Sequence, residues 1–137
     1  MQIELTDMEF RRLLDMAYIG NWILNSTRGP DRFSDYDIVE SRLFSYCQSC
    51  DMPTLVDFSE GLARPSAAFE DGGIHEAIAD YEDSVFFEIL AEELARRDMD
   101  FEPIGPENMT ELTTRIDEYI EEFEQNGIDN ISLDKES

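Results

Sequence analysis

The chain has 137 residues, the usual length of a single domain, and 42% of them are apolar, so composition excludes a disordered chain and predicts one hydrophobic core. It has 33 acidic and 10 basic residues, a net charge of −23. Such a field opposes contact with phosphate backbones and anionic lipid surfaces, so we expect no direct nucleic-acid or membrane binding. The charge is uneven: residues 1–50 have eight acids and five arginines, whereas the rest have 25 acids and five bases.

The N-terminal sequence predicts a cytoplasmic protein. MQIELTDMEF lacks the basic start and long apolar run of a signal peptide. The most apolar segment, LLDMAYIGNWIL, is too short to cross a bilayer and is interrupted by Asp15 and Asn21. The two cysteines, three positions apart, provide no disulfide framework, which fits a reducing compartment.

The first predicted helix follows a short strand-like alternation at residues 2–5. Thr6 and Glu9 have the spacing of a capping box, in which each side chain binds the backbone N–H of the other residue. The helix is expected to end at residues 25–27, before Gly29 and Pro30. Its wide apolar face predicts a central place in the core and includes Phe10, Leu13, Leu14, Ala17 and Leu24.

A second helix is predicted to begin at Ser34 and to end near Asp51, because apolar residues recur there with helical spacing. The chain then contains several helix-breaking residues, which predict an irregular connection over residues 53–73: Gly61, Pro65, Gly72 and Gly73. We expect this connection to pack four apolar side chains onto the core: Leu55, Phe58, Leu62 and Phe69.

The segment from Ile74 to Met99 predicts a short helix and then a longer one, with a cap at Asp83 or Ser84. The last helix is predicted to begin near Pro106 or Thr110 and to end at Asn126, followed by Gly127 as a glycine stop.

The final segment NISLD alternates apolar and polar residues, as residues 3–5 do. Neither segment is stable alone, so we predict a small two-stranded sheet that pairs the N- and C-terminal segments. The fold class is therefore predicted as mainly all-α: one domain over residues 1–137, built as a compact bundle of about four main helices. Residues 134–137 are expected to be disordered.

No pattern in the sequence indicates a catalytic, metal or cofactor site. Cys47 and Cys50 lie at a predicted helix end, where the dipole disfavours a thiolate, and zinc would need two further ligands. We interpret both as small core residues. His75, the single histidine, accompanies no recognisable nucleophile motif and is interpreted as a surface residue near a helix start.

The stretch YIGNWILNSTR places polar side chains on an apolar helix. Asparagine is a poor helix former, so two of them cost stability unless they form hydrogen bonds. In one interpretation they satisfy buried backbone groups of the 53–73 connection and the arginine pairs with an acid. In the other, the stretch is a binding patch for a peptide or small anionic ligand. The patch consists of Tyr18, Asn21, Trp22, Asn25 and Arg28.

Three functions follow as hypotheses. The first is a non-catalytic protein-interaction or regulatory module whose partner is another protein, with a basic protein or a second copy of the chain as options. The second is a nucleic-acid mimic or inhibitor that presents the acidic faces of residues 76–124 to a basic protein. The third is a small-ligand-binding protein or enzyme that uses Asn21, Asn25, Arg28 and His75, which a deep pocket lined by these groups would favour.

Overall fold

A computed structural model describes residues 1–134, and in this part of the chain it confirms a mainly α-helical fold with a small antiparallel sheet. Disorder is expected from the sequence at residues 134–137, of which residues 135–137 lie outside the described part of the chain. The four long helices of the described part are α1 (Asp7–Asn25), α2 (Ser34–Phe44), α3 (His75–Asp98) and α4 (Met109–Asn126).

The capping box at the start of α1 is confirmed. The backbone N–H of Glu9 donates to Thr6 Oγ1 at 3.2 Å, and the backbone N–H of Thr6 donates to Glu9 Oε1 at 3.0 Å. Two of the N–H groups that a helix start leaves without partners are thereby satisfied. Helix α1 ends at Asn25, within the predicted limits.

The small sheet lies inside the predicted irregular connection, and the predicted pairing of the two terminal segments is wrong. Strands β1 (Val56–Ser59) and β2 (Leu62–Pro65) form an antiparallel hairpin, while residues 1–6 and 131–134 contain no strand. Glu60 and Gly61 join the strands with positive φ angles of 53° and 77°, the conformation of a tight hairpin turn. A two-residue loop loses far less entropy on closure than a pairing between opposite ends of the chain.

The hairpin also changes which side chains of the connection enter the core. Leu55 packs against the core and Phe69 is fully buried, as predicted. Phe58 and Leu62 are instead each 50% exposed. Leu62 lies on the opposite face from the buried Ala63, since side chains alternate along a strand, and Phe58 lies near the turn.

Two predicted helix boundaries are wrong. Helix α2 ends at Phe44, and residues 45–51 form turns that contain both cysteines. The predicted cap at Asp83 or Ser84 is absent, because α3 is continuous from His75 to Asp98. No glycine or proline interrupts those 24 residues, so a polar pair in the middle does not end the helix. Gly127 follows α4 with a φ of 56° and ends the helix as predicted.

Contacts within the chain group into two compact units, residues 1–78 and the residues from 79 onward, with the division inside α3. The prediction of a single domain stays a prediction. In the second unit, Ala95, Met99 and Leu112 form a small buried cluster with Ile116 and Tyr119 against it. The core of the first unit consists of Phe10, Leu14, Tyr18, Phe44, Cys47, Val56, Ala63, Phe69, Ile74 and Ile78.

None of the helices in residues 1–134 combines the length and the apolar character that crossing a bilayer requires.

Candidate binding cleft

Three members of the polar stretch are buried in the first unit, where α1 packs beside α2. Tyr18, Asn21 and Asn25 each expose less than a tenth of their surface. Asn21 Nδ2 donates to two carboxylates of α2, to Asp37 Oδ1 at 3.0 Å and to Glu40 Oε2 at 2.8 Å. The amide therefore links α1 to two acidic side chains of the neighbouring helix.

Asn25 links α1 to the segment that leads into α2. Its Oδ1 accepts the backbone N–H of Phe33 at 2.8 Å, and its Nδ2 donates to the Phe33 carbonyl at 3.1 Å and to Asn21 Oδ1 at 2.6 Å. Asn25 is only 1% exposed, so these bonds satisfy polar groups that water cannot reach. The first interpretation expected the asparagines to bind backbone groups of the 53–73 connection. The backbone groups that Asn25 binds belong to Phe33 instead.

Arg28 is separated from the other members of the stretch. Its Nη1 lies 3.0 Å from Asp31 Oδ2, its Nε donates to the Leu24 carbonyl at 2.8 Å, and its guanidinium lies 4.2 Å from the centre of the Phe33 ring. Arg28 thus pairs with an acid, as one interpretation expected, and is not among the residues that line the cleft described next.

A cleft of about 640 Å³ opens on the first unit and lies within the size range of ligand-binding pockets. Helices α1 and α2 form two of its sides. The third side is formed by strand β2 and by Glu70, which follows a short helical turn at Ala67–Phe69. Its charged and aromatic lining consists of Tyr18, Trp22, Arg32, Asp37, Glu40, Arg64 and Glu70.

One part of the lining contains a paired charge. Arg32 donates to Asp37 through two nitrogens, from Nε to Oδ2 at 2.6 Å and from Nη2 to Oδ1 at 2.7 Å. These bonds hold the pKa of Asp37 below its usual value, although desolvation opposes the shift. The charge of Arg64 acts on Asp37 in the same direction. Asp37 is therefore ionised at neutral pH, and the guanidinium of Arg32 balances its charge.

The part of the lining around Tyr18 is acidic and less well compensated. Burial raises the pKa of Glu40, and the hydrogen bond from Asn21 only partly opposes this. Burial, followed by the charges of Glu70 and Glu40, raises the pKa of Tyr18 to about 12. In residues 1–134 no Arg or Lys nitrogen lies within 4 Å of the carboxylate of Glu40 or of Glu70.

His75 is exposed, as predicted, and it also contacts the aromatic side chains of α1. The Tyr18 hydroxyl and His75 Nε2 are 2.7 Å apart in a hydrogen bond. The imidazole meets the rings of Tyr18 and Trp22 edge to face, at centroid distances of 5.6 and 6.2 Å. The single histidine thus connects the start of α3 to α1.

The interpretation of the cysteines as core residues is confirmed for Cys47, whereas Cys50 is only partly buried. Cys47 is fully buried in the core of the first unit, Cys50 packs against that core, and both thiols are free. Burial raises the pKa of the Cys47 thiol. In the described part of the chain, no three His, Cys, Asp or Glu side chains converge as a metal-binding group.

The sequence analysis did not identify five charged residues of the lining, which lie before α2, in α2, in the hairpin and after the hairpin: Arg32, Asp37, Glu40, Arg64 and Glu70. Asp37 and Glu40 lie three residues apart, which places both on one face of α2, and this spacing was the available signal. Arg64 and Glu70 have no such signal, because only the hairpin brings them to α1.

Comparison with protein-family models, with curated proteins and with solved structures finds no significant match.

Proposed function

We propose that this chain is a non-catalytic recognition module that binds a segment of another protein in the cleft of its first unit. The cleft is the observation that supports the proposal. It combines a volume of about 640 Å³ with Trp22, Tyr18 and Arg64, the residue types on which protein interfaces most depend. The expected patch and the cleft share Tyr18, Asn21, Trp22 and Asn25.

The chemistry of the lining favours binding over catalysis. Tyr18, the partner of the single histidine, has a pKa of about 12 and stays protonated at neutral pH, so it is a poor base or nucleophile. Cys47, a potential nucleophile, is buried in the core and its raised pKa keeps it a thiol. The polar side chains of the cleft are therefore better suited to contacts with a bound segment.

The proposal includes a cytoplasmic location, which the two free thiols support because disulfides form readily in oxidising compartments. A second candidate function is the binding of a small ligand, which the volume of the cleft favours.

A capture experiment tests the proposal. The full chain is immobilised and exposed to lysate of its source cells at low and at high salt, and bound proteins are cross-linked and mapped. The cleft variant combines Trp22→Ala with Arg64→Ala. The control variant combines Tyr46→Ala with Arg42→Ala, which also removes an exposed ring and an arginine but lies outside the cleft. Asn21 and Asn25 are left unchanged because they are buried structural groups.

We expect a partner, or a second copy of the chain, that binds the wild type and the control and is lost in the cleft variant. A partner that the cleft variant retains and that high salt removes would contradict the proposal and favour the nucleic-acid mimic, because salt screens exposed charges. If no protein is captured, and small molecules raise the melting temperature of the wild type but not of the cleft variant, the second candidate replaces the first.

A further inference from the structure

We infer, on the premise of the proposed function, that the bound segment carries an arginine, and that its guanidinium is held by Glu40 and Glu70 against the rings of Tyr18 and Trp22. The four side chains line one cleft and come from α1, α2 and the segment after the hairpin. The inference names the chemistry of the partner, which the proposed function leaves open.

The two carboxylates provide the charge that a guanidinium requires. Glu40 is half-buried and accepts one hydrogen bond, from Asn21 Nδ2 at 2.8 Å, whereas Glu70 is exposed at the edge of the cleft. Within residues 1–134 neither forms an ion pair. A half-buried carboxylate that forms no ion pair within the described residues loses hydration energy, which a bound cation restores.

The two arginines of the cleft lining leave Glu40 and Glu70 available to the guanidinium of a bound segment. Arg32 is bound to Asp37 through two hydrogen bonds of 2.6 and 2.7 Å. Arg64 acts electrostatically on Asp37, whereas the charges that act on Glu40 are those of Asp37, Arg32 and Glu70. Among residues 1–134, the charges of the cleft that form no ion pair are thus two carboxylates and one guanidinium, with an excess of negative charge beside Tyr18.

The aromatic side chains distinguish arginine from other cations. Trp22 and Tyr18 line the same cleft as these carboxylates, and His75 meets both rings edge to face. A planar guanidinium stacks on aromatic rings and donates to carboxylates through a fork of N–H groups, which an ammonium cannot do. The net charge of −23 also attracts a cationic segment over longer distances.

Peptide titration tests the inference, because Trp22 is the only tryptophan of the chain and lies in the cleft. The probe is the blocked peptide Gly-Gly-Arg-Gly-Gly. Its comparison peptides contain citrulline, which keeps the shape and removes the charge, or lysine. Binding to the full chain is followed by Trp22 fluorescence and by NMR chemical shifts of the backbone amides.

We expect the arginine peptide to change Trp22 fluorescence and to bind at least about tenfold more tightly than the citrulline peptide, with the lysine peptide weaker than arginine. The double variant Glu40→Gln with Glu70→Gln should weaken binding of the arginine peptide by about tenfold. The glutamine at position 40 can still accept the hydrogen bond from Asn21, so the fold is expected to be kept. The control, Asp117→Asn with Glu118→Gln on exposed positions of α4, removes the same charge and should change affinity less than about twofold.

Equal binding of the arginine and citrulline peptides would overturn the inference, as would tighter binding of lysine. An equal loss in both double variants would also overturn it and assign the effect to the overall field. If the arginine peptide does not bind while the captured partner still requires Trp22 and Arg64, the inference fails and the proposed function stands. If partner capture is independent of Trp22 and Arg64, the proposed function itself fails.

Discussion

The two units of the chain bury different kinds of side chain. The first unit buries three polar residues, Asn21, Asn25 and Ser66, together with ten apolar ones. The buried residues of the described part of the second unit are all apolar and include Ala95, Leu112 and Phe123. Residues 1–78 contain 14 acidic and six basic residues, whereas the chain from residue 79 contains 19 acidic and four basic residues.

The difference indicates where a specific binding surface can form. Buried polar groups need partners at defined distances, so the first unit holds α1, α2 and the hairpin through specific hydrogen bonds. Ser66 shows this for the hairpin, because its hydroxyl donates to the Thr54 carbonyl at 2.6 Å and accepts the backbone N–H of Phe69 at 3.2 Å. A defined cleft follows from these positions. The second unit has its charges on its surface, where they favour solubility and long-range attraction.

The largest expected effect is the loss of the central aromatic contact in the first unit. Phe69 is fully buried and packs edge to face on Phe44 and Tyr18, with ring centroids at 4.9 and 5.2 Å. Phe69→Ala should lower the free energy of unfolding by about 3–5 kcal/mol in urea denaturation. Phe86→Ala in the second unit is the control. Because Phe86 is 51% exposed, this substitution should lower the free energy of unfolding by less than about 1 kcal/mol. Similar losses in both variants would contradict the central place of Phe69.

The second prediction compares one asparagine from each unit. Asn25→Ala leaves the Phe33 backbone groups without partners and should cost about 2–4 kcal/mol. Asn126→Ala removes an exposed hydrogen bond to Glu122 and should change the free energy of unfolding by less than about 0.5 kcal/mol. Urea denaturation measures both, and a neutral Asn25→Ala would show that the buried network does not stabilise the first unit.

Tyr18 predicts a dependence of stability on alkaline pH. Its pKa is raised from 10 to about 12 in the fold, so the folded state retains the proton that the unfolded state releases. The contribution of Tyr18 to the free energy of unfolding is complete below pH 10 and is lost as pH rises toward 12. Since one pKa unit corresponds to about 1.4 kcal/mol, the loss should reach about 2 kcal/mol near pH 12.

The measurement is the free energy of unfolding between pH 8 and pH 12, together with absorbance titration of the tyrosines. Tyr18→Phe should make the free energy of unfolding depend less steeply on pH and should remove the tyrosinate that forms near pH 12. An unchanged slope in Tyr18→Phe would assign the alkaline sensitivity to other groups.

The smallest expected effect concerns the start of α1. Thr6→Ala removes one half of the capping box and should cost about 1 kcal/mol, with Thr6→Ser restoring most of the stability. Thr113→Ala is the matched control, because the Thr113 hydroxyl donates to the Met109 carbonyl within α4 and caps no helix start. Thermal denaturation compares the variants, and equal shifts at both positions would contradict a specific role of the cap.

The sequence alone determined the helical class, the start and end of α1 and the end of α4. These features depend on neighbours three or four residues apart, such as Thr6 with Glu9, or on one residue such as Gly127. Local spacing is visible in the sequence because a helix forms its hydrogen bonds locally.

Only the tertiary structure decided the place of the sheet, the continuity of α3 and the composition of the cleft. The sequence indicated that Tyr18, Asn21, Trp22 and Asn25 lie together on α1. It did not indicate that α2 and the hairpin would bring charged side chains to them. Contacts between distant segments depend on how buried surface and loop closure balance over the whole fold, and no short pattern of residues records that balance.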